Sequence, residues 1–258
     1  MPELPDLQLF SENLHQKLAG KKITEIKVSV TKNLNVTENT LQKTLLNQQL
    51  HAVKRVGKEL HFEFDHHVLA LHLMLHGELH YFEADDLPKF TILAMGFSNG
   101  SSLALSDFQK MATPTLNPEP SAALDALSEE INADFFTKLL QDSKATIKNI
   151  LLDQKLIRGI GNAYADEILW DARISPFSIA NKIPADQVHT LVKSIKSVLM
   201  DAEKQLKLAH PDIISGEYRE FLKIHGPKIK NSPTGAEVLI KKTGSRKTYY
   251  TSEQELFT

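Results

Sequence analysis

The chain has 258 residues, of which 41% are hydrophobic and 24% charged, and its formal net charge is −2. That length holds one large domain or two modest ones with real cores, and the composition is that of an ordinary globular protein, neither disordered nor fibrous. Cysteine is absent, which excludes disulfides, iron–sulfur clusters and thiolate zinc sites.

No apolar run reaches spanning length, and the N-terminus lacks a basic-then-apolar leader pattern, so an intracellular, cytoplasmic protein is expected. In chain order, Pro5 suits the first turn of a helix whose buried stripe is Leu7, Phe10, Leu14 and Leu18, ending at Gly20. Short alternating patterns follow at Ile26/Val28/Val30, Leu60/Phe62/Phe64, Leu69/Leu71/Leu73/Leu75, Leu79/Tyr81 and Ile92 to Phe97. Asn99 and Gly100 predict a hairpin turn into Leu103–Leu105. Residues 1–112 thus read as a β-sandwich fronted by a helix. Three prolines between Thr113 and Pro120 predict a linker over 113–122.

Helical patterns occupy 123–222, clearest around Ser128, Glu129 and Glu130, then at Ala133–Gln141, Gln187–Leu206 and Ile214–Leu222. The remainder, 223–258, predicts a hairpin: Val238 to Ile240, a turn at Thr243, Gly244 and Ser245, and Thr248 to Tyr250. The fold class is α+β. From Leu222 to Thr248 the basic residues Lys223, Lys228, Lys230, Lys241, Lys242, Arg246 and Lys247 face one acid, Glu237. Near-neutral net charge therefore hides a basic tail, either a solvated face or a nucleic-acid patch.

Within the helical half, Ile147, Ile150 and Leu151 recur at helical spacing, as do Tyr164, Ile168, Leu169 and Ala172. Gly159 and Gly161 between them permit positive φ, and Asn162 suits the cap of the second helix. This is either an ordinary helical hairpin with a glycine turn or a seat for phosphate at a helix N-terminus. At the other end of the chain, proline at position 2 favours removal of Met1, which leaves a secondary amine. An α-amino group titrates near about 8, so a useful fraction is unprotonated at neutral pH and competent for Schiff-base chemistry. Glu3 beside it is placed to shuttle protons. His72, His76 and His80 lie four apart, but strand alternation around them argues against a metal site, and none is expected.

The run from Asp153 to Leu169 (DQKLIRGIGNAYADEIL) closely resembles the helix–two-turn–helix signature of the formamidopyrimidine-DNA glycosylase and endonuclease VIII family, and Pro2-Glu3-Leu4-Pro5 resembles the family's start. The resemblance implies a catalytic set of Pro2 as nucleophile, Glu3 as acid–base partner and Lys58, which follows Val53–Gly57. Asp6 stands where the family continues with a second glutamate. It implies DNA-backbone contacts at His72, Lys155, Asn162 and Arg246, the last in a hairpin tip spanning Gly244–Tyr250. It places the residues that fill the gap left by a flipped base at Met74, Leu75, Gln109, Lys110 and Met111. Neither Gln109 nor Lys110 offers the planar fork with which arginine reads cytosine. Where most relatives bind zinc through four cysteines, this chain has Asn231, Thr234, Thr251 and Gln254, so a zincless finger without cofactor is implied.

The expected activity is removal of oxidised or ring-opened bases from duplex DNA, with lyase action at the abasic site, by a bacterial monomer acting in a cleft between the two domains. Two alternatives are a relative that binds damaged or abasic DNA with reduced excision, and a non-enzymatic module sharing only the helix–two-turn–helix. A free secondary amine argues against the second.

Overall fold

A computed structural model describes residues 1–83, 86–244 and 246–258. Helix α1 (Leu4–Leu18) opens with a reciprocal cap: the Glu3 side chain accepts the Asp6 N–H, and Asp6 Oδ2 accepts the Glu3 N–H at 2.8 Å. Two of the N–H groups that a helix start leaves unpaired are thereby satisfied. Leu7, Phe10, Leu14 and Leu18 are buried as their spacing requires.

Two four-stranded sheets follow. One has the order β1-β6-β7-β5, from β1 (Ile23–Val28), β5 (Glu78–Phe82), β6 (Thr91–Phe97) and β7 (Ser102–Ser106). The other has the order β2-β3-β4-β8, from β2 (Ala52–Val56), β3 (Glu59–Glu63), β4 (Val68–His72) and β8 (Thr113–Leu116). All pairings in both are antiparallel. Ile26, Leu93, Met95 and Leu105 from the first sheet and Leu60, Phe62, Leu69 and Leu71 from the second share one core with α1. A short helix α2 (Glu38–Leu45), capped by Thr37 and burying only Leu41 and Leu45, gave too little periodic signal to be expected.

The expected linker is corrected at its start: Thr113–Leu116 is strand β8, paired with β4. Pro114 is tolerated because β8 lies at the sheet edge, where a missing N–H breaks no ladder. The chain divides into two units, residues 1–120 with 206–217, and residues 121–205 with 218–258. The later segment belongs with the first unit through Asn13, whose amide donates to the carbonyls of Pro211 and Ile213, and through Leu79, whose N–H donates to Ser215 Oγ.

In the second unit, β9 (Leu124–Asp125) pairs in parallel with β10 (Ile157–Arg158). The helix expected around Ser128 is instead a set of turns, because the Ser128 and Asp125 side chains capture nearby N–H groups that a helix would use. Helices α3 (Ala133–Leu140), α4 (Ile147–Leu152), α5 (Asn162–Asp171) and α6 (Ala185–Ala209) follow the expected patterns. Val188, Leu191, Ile195, Leu199, Ala202 and Leu206 form the buried stripe of α6. The helix expected over Ile214–Leu222 is absent, since Gly216 sits at φ +93 and stops any regular turn. Strands β11 (Leu239–Thr243) and β12 (Arg246–Tyr250) form the C-terminal hairpin; Ser245, part of its expected turn, lies outside the described residues. No helix among the described residues is long and apolar enough to cross a membrane.

Candidate active site and nucleic-acid interface

Pro2 and Glu3 lead into α1, and both are buried, Glu3 to 5% exposure. Asp6 is the residue that fixes Glu3, since its short carboxylate reaches back three residues to the Glu3 N–H. Pro2 lines a cleft of about 650 Å³ with Leu75, His76, Glu78, Phe108 and Glu217. With Met1 in place, the terminal amine pairs with the Glu217 carboxylate.

Lys58 occupies the two-residue turn between β2 and β3, next to Gly57 at φ +61. It is 9% exposed, unlike an ordinary turn lysine. Arg55 braces this turn on α1: its Nε donates to Gln8 Oε1 at 3.0 Å and its NH1 to the Gly57 carbonyl at 3.2 Å. His72 ends β4 opposite Glu59, so the sheet brings it beside Lys58. Burial pushes the His72 pKa down, with Glu59 opposing and Lys58 reinforcing. Its Nδ1 accepts the Met74 N–H at 3.0 Å, which leaves the ring proton on Nε2.

The two expected wedge loops are both held rigidly. Met74 adopts φ +54, and the Gly77 N–H closes the turn on the Leu73 carbonyl at 2.8 Å, projecting Leu75 to 62% exposure. Only glycine fits there, because a Cβ on residue 77 would lie 2.2 Å from the Leu73 oxygen. In the second loop the buried Asp107 carboxylate accepts the N–H groups of Gln109, Met111 and Ala112 at 2.8 to 2.9 Å. Burial alone would raise its pKa, but those three bonds hold it below the usual value. Lys110 takes φ +57, and Met111 is 43% exposed.

Sequence reasoning missed Phe108. It is 56% exposed, and its ring packs on His76 with centroids 4.7 Å apart, joining the two loops. An aromatic residue adjoining the expected wedge positions was the available signal.

In the second unit, α4, the loop and α5 form the helix–two-turn–helix. Gly159 takes φ +107, but Gly161 is extended and is itself the N-cap, so Asn162 is the first residue of α5 and not its cap. Gln154 organises the loop, accepting the Gly159 N–H and donating to the carbonyls of Leu152 and Ile160. Lys155 is exposed on it, and Arg246 is exposed at the start of β12. Asn162 Nδ2 donates to the Lys247 carbonyl at 3.0 Å, which brings Asn162 to the base of the hairpin tip.

Two buried acids on α5, also unforeseen, hold this arrangement. Asp166 meets Lys148 Nζ at 2.6 Å, His225 Nδ1 at 2.8 Å and the Tyr249 N–H at 3.0 Å. Glu167 accepts the N–H groups of Lys223, Ile224 and His225 at 2.8 to 2.9 Å, and burial raises its pKa in spite of those bonds. Of the four residues at the expected zinc-ligand positions, Thr234 and Thr251 donate to the Glu253 carboxylate, while Gln254 accepts the Thr251 N–H. Asn231 donates to the Gly235 carbonyl.

A β-sandwich unit headed by a proline and a buried glutamate, and a second unit with a helix–two-turn–helix and a basic hairpin, are the parts of a DNA glycosylase. The model of the formamidopyrimidine-DNA glycosylase N-terminal domain matches residues 1–113, and that of the formamidopyrimidine-DNA glycosylase H2TH domain matches residues 122–209. The chain is 31% identical to the formamidopyrimidine-DNA glycosylase of Pelotomaculum thermopropionicum over 97% of both. It is similar in structure to Lactococcus lactis Fpg in complex with abasic-site DNA, with TM-score 0.87 and 27% identity over 98% of this chain and 100% of that one. A Lactococcus lactis Fpg mutant bound to Fapy-dG DNA gives TM-score 0.86 at 27% identity, over 97% and 98% of the two chains. The chain belongs to the formamidopyrimidine-DNA glycosylase family, whose members are DNA N-glycosylases with abasic-site lyase activity.

Proposed function

We propose that this chain excises ring-opened or oxidised bases from duplex DNA and then cleaves the abasic strand, with Pro2 as nucleophile. The carrying observation is that Pro2 lines the cleft of the first unit while Glu3 is fixed beside it by Asp6. With Met1 removed, the Pro2 nitrogen lone pair forms a bond to the sugar C1′. The bond from C1′ to the base breaks, and the base leaves with a proton delivered by Glu3. The Pro2 N–H proton then passes through Glu3 to O4′ as the C1′–O4′ bond breaks, which opens the sugar and leaves a C1′ iminium; this acidifies the C2′ hydrogen, whose loss expels the 3′ phosphate by β-elimination. Flipping the nucleotide costs unstacking energy, which a damaged pair reduces.

Lys58 and His72 serve the phosphate beside the reacting sugar; Lys155, Asn162 and Arg246 grip flanking phosphates. Leu75, Met111 and Phe108 fill the vacated stack, with Met74, Gln109 and Lys110 shaping their loops. The relatives' names and the Fapy-dG complex support formamidopyrimidines as substrates. The setting is the cytoplasm, where the chain acts as a monomer without cofactor.

The test is borohydride trapping on a duplex with one abasic site and on one with a formamidopyrimidine, comparing the parent with Pro2→Gly and Glu3→Gln. The parent is expected to trap on both, Pro2→Gly to lose at least tenfold, and Glu3→Gln to lose base release by about 10²–10⁴. Normal binding with no trapped complex would leave a damage-binding protein.

A further inference from the structure

We propose that Glu253 is the positioning residue of the phosphate-gripping hairpin, setting where Arg246 stands relative to Asn162 by tying both limbs of the finger to the far end of α5. Its Oε1 accepts Thr234 Oγ1 at 2.6 Å and pairs with Arg173 NH1 at 2.9 Å. Its Oε2 accepts Trp170 Nε1 at 3.3 Å, Ser232 Oγ at 3.1 Å and Thr251 Oγ1 at 3.2 Å. Five donors converge on the roughly four lone-pair sites of one carboxylate, so both oxygens are saturated. They come from three pieces of chain: the end of α5, the segment before β11, and the residue directly after β12.

The geometry gives these bonds a consequence at the tip. Strand β12 is held along α5 at successive points. Asn162 donates to the Lys247 carbonyl at the start of the helix, and Asp166 accepts the Tyr249 N–H in its middle. Glu253 closes the far end through Trp170 and Arg173. The return leg is locked by neighbours as well: Gln254 Nε2 donates to the Ile174 carbonyl at 2.9 Å, and the Glu255 N–H donates to the Arg173 carbonyl at 2.8 Å. Without the Glu253 tie, β12 keeps its fastening near the tip and the return leg its bonds to Arg173 and Ile174, but the segment before β11 loses its polar link to the end of α5, and with it the constraint on the angle of the hairpin. The bond from Thr234, followed by those from Trp170 and Ser232, and the charge of Arg173 hold the Glu253 pKa at about 2, so the carboxylate stays charged across the working range.

The proposal rests on Arg246 gripping a phosphate, and the test separates the two ideas. Binding to an abasic-site duplex is measured over a salt series for the parent, Glu253→Ala, Arg246→Ala and the double variant, with emission of Trp170, the single tryptophan, as a local reporter. Each phosphate contact contributes about 0.9 to the slope of log K against log salt. Glu253→Ala is expected to lower the slope by about that amount, as Arg246→Ala does, with no further fall in the double variant and a shifted Trp170 emission. A parental slope for Glu253→Ala beside a lowered slope for Arg246→Ala overturns the positioning role. A parental slope for Arg246→Ala overturns the reading of Arg246, and with it the role assigned to Glu253, whose tie to Trp170 the emission still reads. If the alanine variant does not fold, Glu253→Gln keeps the shape while removing the charge and one acceptor oxygen, and the same comparison decides.

Discussion

The side-chain amide of Asn162 donates to the main-chain carbonyl of Lys247 across 85 residues of sequence, at 3.0 Å. One asparagine thereby serves the helix–two-turn–helix and the hairpin together. Asn162 is neutral and releases no counterion of its own, so any change that Asn162→Ala makes to the salt slope reads the hairpin. Asn162→Ala is expected to weaken duplex binding and, by loosening the hairpin that carries Arg246, to lower the slope by up to about 0.9, one phosphate contact. Anisotropy titrations over a salt series measure both, and weaker binding at a parental slope would sink the dual role.

Lys148 and Asp166 form an ion pair with side-chain exposures of 7% and 0%. Removing Lys148 leaves the Asp166 carboxylate in a dry interior with only His225 and the Tyr249 N–H on its other oxygen, so Lys148→Met is expected to destabilise the fold by about 3 kcal/mol. Replacing both with apolar residues should recover part of that loss. Urea unfolding of the two variants checks it, and a Lys148→Met loss under about 1 kcal/mol would contradict the burial argument.

Gly77→Ala forces a carbon to within 2.2 Å of the Leu73 carbonyl oxygen, a backbone atom that cannot swing aside. A stability loss of about 1–3 kcal/mol is expected, together with weaker discrimination between lesion and intact duplexes as Leu75 moves. Competition binding alongside thermal melting reads both effects.

Phe108→Ala leaves the fold alone, since the ring is 56% exposed. It is expected to cost about 1–3 kcal/mol of binding to a duplex with a flipped or missing base, the worth of one aromatic stacking contact. Binding to intact duplex should change far less. An equal loss on both would show that Phe108 does not enter the stack.

Burial lowers the His72 pKa, so the folded state prefers the neutral ring. The folded chain therefore binds fewer protons than the unfolded one below the ordinary value of about 6.5. The stabilising contribution is complete above that pH and is lost as pH falls toward the folded pKa. Denaturant midpoints measured from pH 7.5 to 5 should decline more steeply for the parent than for His72→Gln, and parallel curves would refute it.

Much of this was legible in the chain because periodicity and the glycine loop are local signals. The stripe of α1, the strands from Leu60 to Leu105 and the hairpin at Val238–Tyr250 each announce themselves within a few residues. What stayed hidden depends on distant partners. Nothing near Glu253 says that Trp170, Thr234 and Arg173 converge on it, and nothing near Asp166 predicts Lys148 and Tyr249 around it. Pro114 reads as a strand breaker until the sheet edge that tolerates it is known, and Ile214–Leu222 reads as a helix until Gly216 turns left-handed.

The tie at Glu253 also changes where oxidative chemistry does harm. Thiolates that hold a metal are the usual casualties of peroxide, and chelators empty such sites; a finger fastened by a carboxylate offers neither reagent a target. Two methionine thioethers stand exposed among the described residues, Met200 on α6 and Met111, 43% exposed in the loop held by Asp107. If Met111 slips between bases as proposed, conversion to the polar sulfoxide blunts it, while the Glu253 tie that fastens the hairpin is untouched.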